Sequence, residues 1–452
     1  MRSGNAKIEC DLFIQTLFET SMRRLVIFLR TCAILGHFCF ADAMIFAMQH
    51  GFSLGLFWFI YMGALGIFFP YYSLYLRENA GLTGTQVGVV LSMVPLAGMF
   101  AQPFWGQVAD RTGARSRVVV LLAFGASVGY LALAWASTFP AILAGTVVLA
   151  CFSSAVVPMT VSVTLGALHG SGPYAFGLIR VWGTLGYLLL VVVFPWLLRR
   201  FQEARGLGGV SDGAAVPGLG FMFVMTAGLV FLAALAGFFL PRGGQVGLRA
   251  SRGDWRALLK SSAVIRFFLF VLVAYVLQAG PMWLFPVYVR ARGGDLYTIR
   301  EMWILMLLVE IPLLMSSGAG LKRLGARGLL VLGVLAGAVR WTVSGLSHDP
   351  YLVYPVQMLH GVMVTGLLLG GPLYLDAVVP VRLRSTAQAL LSMIGIGIGG
   401  VASNTGAGWL LEHMGADAPY IVSGIGSFVL GLLVWWFLPS PDASEPGAPA
   451  AR

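Results

Sequence analysis

The stretch Gly106-Gln-Val-Ala-Asp110-Arg111-Thr-Gly113-Ala114-Arg115-Ser-Arg117 decides the fold of this chain. It is a short segment, rich in glycine and charge, between two long apolar runs at 85–109 and 118–137. An apolar run of about 20 residues is long enough to cross a hydrocarbon core as a helix. The stretch is therefore predicted to be a tight loop between two transmembrane helices, in which Asp110 can bond to a neighbouring arginine.

The same pattern recurs as Gly318-Ala-Gly-Leu-Lys322-Arg323-Leu-Gly325-Ala326-Arg327, and every matched pair is 212 residues apart. The chain is therefore expected to contain two halves with one plan. Repeated halves are how many secondary transporters build a binding site near the middle of the membrane.

Composition predicts where the chain resides. Hydrophobic residues make up 58% of it and charged residues only 10%. A soluble domain carries roughly 25% charged residues, so this chain is predicted to lie in a lipid bilayer. Apolar runs predict an all-α polytopic membrane protein with twelve transmembrane helices in two pseudo-symmetric six-helix bundles. The expected spans are 52–76, 85–109, 118–137, 139–168, 175–198, 218–240, 264–289, 299–319, 328–346, 351–377, 385–411 and 419–438.

A polar stretch at 241–262 separates the halves, because it contains glycines and several basic residues between apolar runs. The expected organisation is an N-terminal extension at 1–50, a first bundle at 51–240, a cytoplasmic linker at 241–262, a second bundle at 263–438 and a cytoplasmic tail at 439–452.

The distribution of basic residues predicts the orientation. Fourteen lie on the side of the linker and seven on the other side, so the linker side is expected to be cytoplasmic in the cell membrane, with both ends of the twelve-helix body. The fourteen are Arg111, Arg115, Arg117, Arg242, Arg249, Arg252, Arg256, Lys260, Lys322, Arg323, Arg327, Arg382, Arg384 and Arg452. The seven are Arg77, Arg199, Arg200, Arg205, Arg290, Arg292 and Arg300.

The extension at 1–50 allows three interpretations. Met22-Arg-Arg followed by an apolar run at 25–40 resembles a signal peptide. Arg30 interrupts that run, however, and a cleaved leader would place the first helix on the wrong side. We favour a mis-assigned start, for example with translation from Met48, over a leader or an extra helix.

Several function classes are not expected. The net charge of +11 does not indicate a nucleic-acid partner, because the basic residues lie in short loops that set topology. Cys10, Cys32, Cys39 and Cys151 lack metal or disulfide spacing, so no metal and no cofactor are predicted. Paired acids, a Ser/His pair and a His-rich motif are missing, which leaves a membrane-embedded enzyme a remote alternative.

The loop at 106–117 resembles the loop between helices 2 and 3 of the major facilitator superfamily. The resemblance implies a transporter whose loop latches one conformation, whereas the alternative is a solvated loop that only sets topology. The implied latch residues are Gly106, Asp110, Arg111, Gly113, Arg115, Lys322, Arg323 and Arg327.

A second segment is similar to helix 5 of lactose permease and of the 3-phenylpropionate and nucleoside proton symporters. It reads Phe176-Gly-Leu-Ile-Arg180-Val-Trp-Gly-Thr184-Leu-Gly-Tyr187. Arg180 aligns with the sugar-binding arginine of the permease and Tyr187 with its stacking tryptophan. Arg180, Thr184 and Tyr187 share one helix face at i, i+4 and i+7. The alternative for Arg180 is a side chain that extends to lipid phosphates.

The second half carries matching ionisable residues. Arg340 and His360 stand 20 residues apart, as do the arginine and histidine of the permease, and Glu310 matches a glutamate of the phenylpropionate transporter. An ionisable residue within a membrane helix is costly unless paired, so we expect Glu310 to pair with Arg340. A static bridge without a role in transport is the alternative. The implied solute contacts are Arg180, Thr184, Tyr187, Gln278, Arg340, His360 and Tyr374.

Two departures from these relatives affect proton coupling. The relatives carry an acidic residue just after Pro158, where this chain has Met159 and Thr160, and Met363 replaces the proton-binding carboxylate of the permease. Glu310 and His360 are thus the remaining proton-coupling candidates. Desolvation favours a neutral carboxyl group and a nearby cation favours the ionised form, so Glu310 can change protonation as a cavity opens and closes.

Together these patterns predict a transporter, not an enzyme, that moves a small organic solute by alternating access in symport with protons. A proton-driven efflux antiporter and an uncoupled facilitator stay open as alternatives. The expected partners are the solute, protons and the lipid bilayer, and the chain is expected to be a monomer.

Overall fold

The computed structural model describes residues 51–168, 175–207, 215–241, 256, 258–347 and 350–439, with the backbone alone at 314–323, 350–351, 381 and 385. The extension at 1–50, most of the linker and the tail from 440 onward lie outside the described residues.

Twelve helices run through the described part of the chain, as predicted. They are α1 Phe52–Leu74, α2 Gly84–Thr112, α3 Arg115–Trp135, α4 Phe139–Ala167, α5 Ala175–Ala204, α6 Phe221–Gly237, α7 Ser262–Ala291, α8 296–323, α9 Leu324–Leu346, α10 Leu352–Val378, α11 Thr386–Met414 and α12 Ala418–Phe437. Ten spans among the described residues are long and apolar enough to cross a membrane, and α6 is a shorter apolar helix. This confirms the all-α polytopic membrane fold.

The internal repeat places a glycine with a positive φ at the matched position of each half. Gly113 ends α2 with a φ of 64°, and Gly325, 212 residues later, breaks the continuous helical trace of α8 and α9 with a φ of 66°. A positive φ of this size is the left-handed region that glycine adopts most readily. The matched glycines therefore interrupt the helices at corresponding positions of the two halves, but with different ψ angles, 6° at Gly113 and 172° at Gly325.

The two ends of the bundle are called the linker face and the opposite face. The linker face carries Asp110, Arg115 and Gly325, and the opposite face carries Glu78 and Arg290. On the linker face Asp110 Oδ1 accepts a hydrogen bond from Arg115 Nη2 at 2.9 Å. The predicted latch thus has an ion pair within the loop between α2 and α3.

The remaining latch residues differ in their surroundings. Arg111 is exposed, and a Cβ added at Gly106 would meet nothing within 4 Å. Arg327 donates to the backbone oxygen of Trp435, and its guanidinium lies 4.5 Å from the centre of that indole ring. The side chains of Lys322 and Arg323 lie outside the described residues. The latch role of these residues stays a prediction.

The opposite face is closed where α2 meets α11. A Cβ on Gly88 would lie 2.5 Å from the backbone oxygen of Asn404, and one on Gly408 would lie 2.5 Å from the backbone oxygen of Gly84. Only residues without a side chain allow the two backbones to approach this closely. We call this contact of Gly84, Gly88 and Gly408 the glycine seam.

Polar contacts between the halves reinforce the glycine seam. Glu412 of α11 accepts a hydrogen bond from the backbone N–H of Thr85 at 2.7 Å, in the first turn of α2. A carboxylate is favourable there because the first N–H groups of a helix lack intrahelical partners. In the segment that follows α1 in sequence, Glu78 Oε1 lies 2.9 Å from Nε of Arg290, which is near the end of α7. The opposite face is therefore held by both close packing and charge.

A Gly88→Leu variant tests the glycine seam. The added side chain would collide with α11, so we expect the opposite face to open and the buried Ser92 to become accessible. Ser92→Cys, in a chain whose four native cysteines are replaced, should react with a maleimide severalfold faster when Gly88→Leu is also present. Gly228→Leu is the matched control, because a Cβ at Gly228 meets nothing within 4 Å. Equal labelling rates in the Gly88 variant and its parent would contradict the closure.

Candidate solute and proton site

Glu310 is a carboxyl group in α8 at the level where the two halves meet. Its side chain is 18% exposed, and its Oε2 lies 3.6 Å from Nε2 of His360 in α10. Such a group is costly to keep within an apolar bundle unless other polar groups face it. The contact with His360 brings together the two side chains predicted from the sequence as proton-coupling candidates.

Arg340 does not pair directly with Glu310, which corrects our expectation. Its Nε donates to Gln357 Oε1 at 2.9 Å, and its Nη1 lies 2.9 Å from His360 Nδ1. Gln357 and His360 are one turn apart on α10, so that helix supplies the acceptors for both of these nitrogens. His360 therefore stands between Arg340 and Glu310.

Arg340 is also shielded from solute. Its side chain is fully buried, and its Nη2 lies 3.6 Å from Met282 Sδ and 3.4 Å from Met306 Sδ. The guanidinium sits 4.0 Å from the ring centre of Trp341, where a cation interacts favourably with the ring face. The solute contact expected of Arg340 stays a prediction, and in this structure its guanidinium bonds to Nδ1 of His360.

The bond to Arg340 determines which nitrogen of His360 carries the proton. A guanidinium has donors and no acceptor, so Nδ1 must offer a lone pair to it. The ring proton of neutral His360 then sits on Nε2, the nitrogen that faces Glu310. At 3.6 Å the two groups are adjacent, and a shortening of about 0.6 Å would reach the usual N–H···O distance.

Arg180 of α5 approaches Glu310 from the other half. Its guanidinium centre lies 4.8 Å from the ring centre of Trp58, and its Nη1 is buried with no hydrogen-bond partner among the described residues. Arg180 and Glu310 interact electrostatically across the interface between the halves. An unpaired buried guanidinium nitrogen is unfavourable, so a hydroxyl or carboxylate acceptor would stabilise it.

Thr184 and Tyr187 follow Arg180 along α5. Thr184 is half-buried and Tyr187 is buried, with its ring centre 5.8 Å from that of Trp303 in α8. Trp303 in turn lies 6.4 Å from the His360 ring. The structure thus brings the predicted face of α5 towards Glu310 of α8 and His360 of α10.

Gln278 and Tyr374 bond to other partners in this structure, and the solute contact expected of them stays a prediction. Gln278 accepts a hydrogen bond from Trp341 Nε1 at 2.5 Å and donates to Ser427 Oγ at 2.9 Å, within the second half. Tyr374 is fully buried, stacks on Phe267 and donates to a backbone oxygen at the end of α12. Both side chains have their polar groups satisfied by packing contacts.

Two contributors were missed by the sequence analysis. Gln357 accepts from Arg340 and donates to the backbone oxygen of Val353 at 3.0 Å. Trp58 stacks under Arg180 and donates to Thr164 Oγ1 at 3.1 Å. The signal for Gln357 was its place three residues before His360, which puts both on one face of the helix. In the described part of the chain, no group of three His, Cys, Asp or Glu side chains is arranged to hold a metal.

Comparison with known proteins gives a family and several relatives. The model of the "MFS_1 like family" matches residues 52–422. The maltose permease of Geobacillus stearothermophilus is 33% identical over 389 residues, which cover 84% of this chain and 92% of the permease. The probable 3-phenylpropionic acid transporter of Escherichia coli is 27% identical over 384 residues, covering 82% of this chain and 93% of that protein.

Solved structures agree on the fold. The nucleoside transporter NupG superposes with a TM-score of 0.72 at 16% identity, over 86% of this chain and 99% of NupG. The inward open xylose transporter XylE from Escherichia coli superposes with a TM-score of 0.64 at 12% identity, over 89% of this chain and 96% of XylE. At these identities the likeness is one of fold.

The protonation of His360 can be measured directly. Nitrogen NMR of protein labelled with ¹⁵N-histidine should show His360 as a neutral ring with hydrogen on Nε2 at neutral pH, because Arg340 occupies Nδ1. His360→Asn identifies the signal by its loss. Arg340→Leu removes the donor and should allow the Nδ1–H tautomer to appear. Hydrogen on Nδ1 of His360 in the unaltered protein would contradict the arrangement.

Proposed function

The chain belongs to the MFS_1 like family, and on that premise we propose that it is a secondary active transporter that carries a small organic solute in symport with protons. The half-buried carboxyl group of Glu310, between His360 of its own half and Arg180 of the other, is the observation that carries this proposal. A group that changes charge at the junction of two moving halves can link proton binding to their movement.

We propose that transport occurs by alternating access. The glycine seam closes the opposite face, while a cavity of about 650 Å³ lies between the halves and extends towards the linker face. The excess of basic residues on the linker side supports a cytoplasmic location for that face. In this account the described conformation faces the cytoplasm, and rocking of the two halves closes the linker face and separates the glycine seam.

The proposed coupling is a competition for Arg180. Without solute, the guanidinium stabilises the ionised form of Glu310 by its charge. A solute acceptor that binds the unpaired Nη1 of Arg180 weakens that interaction, and the carboxyl group then favours the protonated form. His360 Nε2–H faces the carboxyl group throughout and holds its orientation. Proton and solute would thereby occupy the protein together.

A Glu310→Gln variant tests the coupling. Glutamine keeps the shape of the side chain and removes titration, so accumulation driven by a pH gradient should disappear while exchange at equal pH persists. The measurement is uptake into proteoliposomes of a solute selected by thermal-shift screening, beginning with maltose because of the related permease. Glu203→Gln is the matched control, since Glu203 bonds exposed arginines on the surface. Full accumulation by Glu310→Gln would rule out Glu310 as the proton carrier and leave His360 as the candidate.

An Arg180→Lys variant tests the solute contact. Lysine keeps the charge but loses the forked donors, so solute affinity should fall about 10-fold in both the gradient and exchange assays. Arg200→Lys serves as the control, because Arg200 is exposed and pairs only weakly at the surface. An unchanged affinity in the Arg180 variant would remove Arg180 from the solute site.

A further inference from the structure

Arg180 of α5 and Glu310 of α8 carry opposite charges near the junction of the two halves, and yet they do not form an ion pair. The two groups interact electrostatically. Among the described residues, no hydrogen bond or ion pair joins their side chains. A buried guanidinium nitrogen without an acceptor is unfavourable, and a carboxylate is its strongest acceptor. A feature of the structure must therefore hold the flexible arginine away from the carboxylate.

The indole ring of Trp58 in α1 lies against the guanidinium of Arg180. The guanidinium centre is 4.8 Å from the ring centre, within the distance of about 6 Å at which a ring face attracts a cation. The indole is itself fixed, because it is 1% exposed and its Nε1 donates to Thr164 Oγ1 at 3.1 Å. Thr164 Oγ1 in turn donates to the backbone oxygen of Thr160 at 2.8 Å. Helices α1 and α4 thus present the ring in one orientation.

Gly183 provides the space that the guanidinium occupies. It follows Arg180 by three residues and shares its face of α5. A Cβ at Gly183 would lie 2.9 Å from Nη1 of Arg180 and 3.3 Å from Cε3 of Trp58. We call Trp58, Thr164 and Gly183 the arginine cradle. All three belong to the first half, so the cradle keeps Arg180 on its own side of the junction.

The cradle holds the charge of Arg180 without using its hydrogen-bond donors. A ring face attracts the cation through its quadrupole, whereas a carboxylate would accept one or two of the N–H groups. The Nη1 group accordingly stays without an acceptor among the described residues. A direct pair with Glu310 would also join α5 of one half to α8 of the other. That pair would have to break whenever the halves separate at this level.

We propose that Trp58 is a positioning residue that holds Arg180 short of an ion pair with Glu310. Arg180 thereby keeps Nη1 for an acceptor on the solute, and Glu310 stays able to bind a proton. Release of Arg180 from the cradle lets the guanidinium reach the carboxylate, and the closer cation favours the ionised form. The inference rests on the proposed function, since it explains why Arg180 is available for the competition between solute and Glu310.

The rate at which dicyclohexylcarbodiimide modifies Glu310 tests this inference, because the reagent reacts with protonated carboxyl groups. Mass spectrometry of the purified full chain would measure the rate at constant pH without solute. The titratable or charged groups that act on Glu310 are Arg180 and Tyr187 of α5 and His360 of α10. Trp58→Leu should slow the modification at least about 5-fold, since it frees Arg180 to pair with the carboxylate. Trp58→Phe keeps a ring face and should restore most of the rate.

A series of ring-fluorinated tryptophans at position 58 separates the attraction for the cation from packing. Fluorine withdraws electron density from the ring face and leaves the shape and the N–H group of Trp58 nearly unchanged. Each added fluorine should therefore slow the modification of Glu310 further. The same residues at Trp135 are the matched control, because Trp135 is 74% exposed and lies over no cation among the described residues. In an Arg180→Gln background the rate should rise, and fluorination at position 58 should have no effect.

Three results would overturn the inference: a rate that stays constant or rises along the fluorinated series, a fluorine effect that persists in Arg180→Gln, or no faster modification in Arg180→Gln itself. The measurement uses neither solute nor a pH gradient, so its failure is distinct from failure of the proposed function. A cradle without effect on Glu310 would leave symport intact. Conversely, gradient-driven accumulation that survives Glu310→Gln would reject the proton carrier and leave the cradle in place.

Discussion

The need to keep ionisable groups paired inside an apolar bundle shapes the centre of this protein. Exposing the Arg340 side chain to lipid would cost free energy, and the side chain is instead surrounded by Gln357, His360 and two methionine sulfurs. Its bond to His360 directs the imidazole towards Glu310. One buried guanidinium therefore ties α9 to α10 and indirectly orients the carboxyl group of α8, the group that we propose carries the proton.

The two halves meet by different physical means at the two ends of the bundle. On the opposite face, glycines bring the α2 and α11 backbones into contact, and Glu412 bonds to the first turn of α2. Towards the linker face the same two helices line a cavity with unpaired neutral polar groups. The helices α2 and α11 thus form both the closed end and the end with the cavity. A small rotation of one half can therefore open the first end and close the second.

The sequence predicted the elements better than their side-chain partners. Helix positions follow from apolar runs, and Gly113 and Gly325 follow from the repeat, because these depend on local composition. Glu310 and His360 were each identified as proton-coupling candidates, but their contact was not predicted. The acceptors of Arg340 could not be predicted, because they depend on how α9 and α10 pack against each other. Tyr374 shares a helix face with His360. The 14 residues from one to the other, at 1.5 Å each, separate them by about 21 Å along the helix axis, so Tyr374 packs near one end of the bundle.

Distances between spin labels on both faces test the central claim of alternating access most directly. Cysteines at Arg111 and Arg382 report on the linker face, and those at Arg200 and Met414 report on the opposite face, all being exposed positions. The account predicts that adding a transported solute at low pH shortens the 111–382 distance and lengthens the 200–414 distance in the same molecules. Distances that stay fixed, or that lengthen together, would contradict alternating access between the two halves.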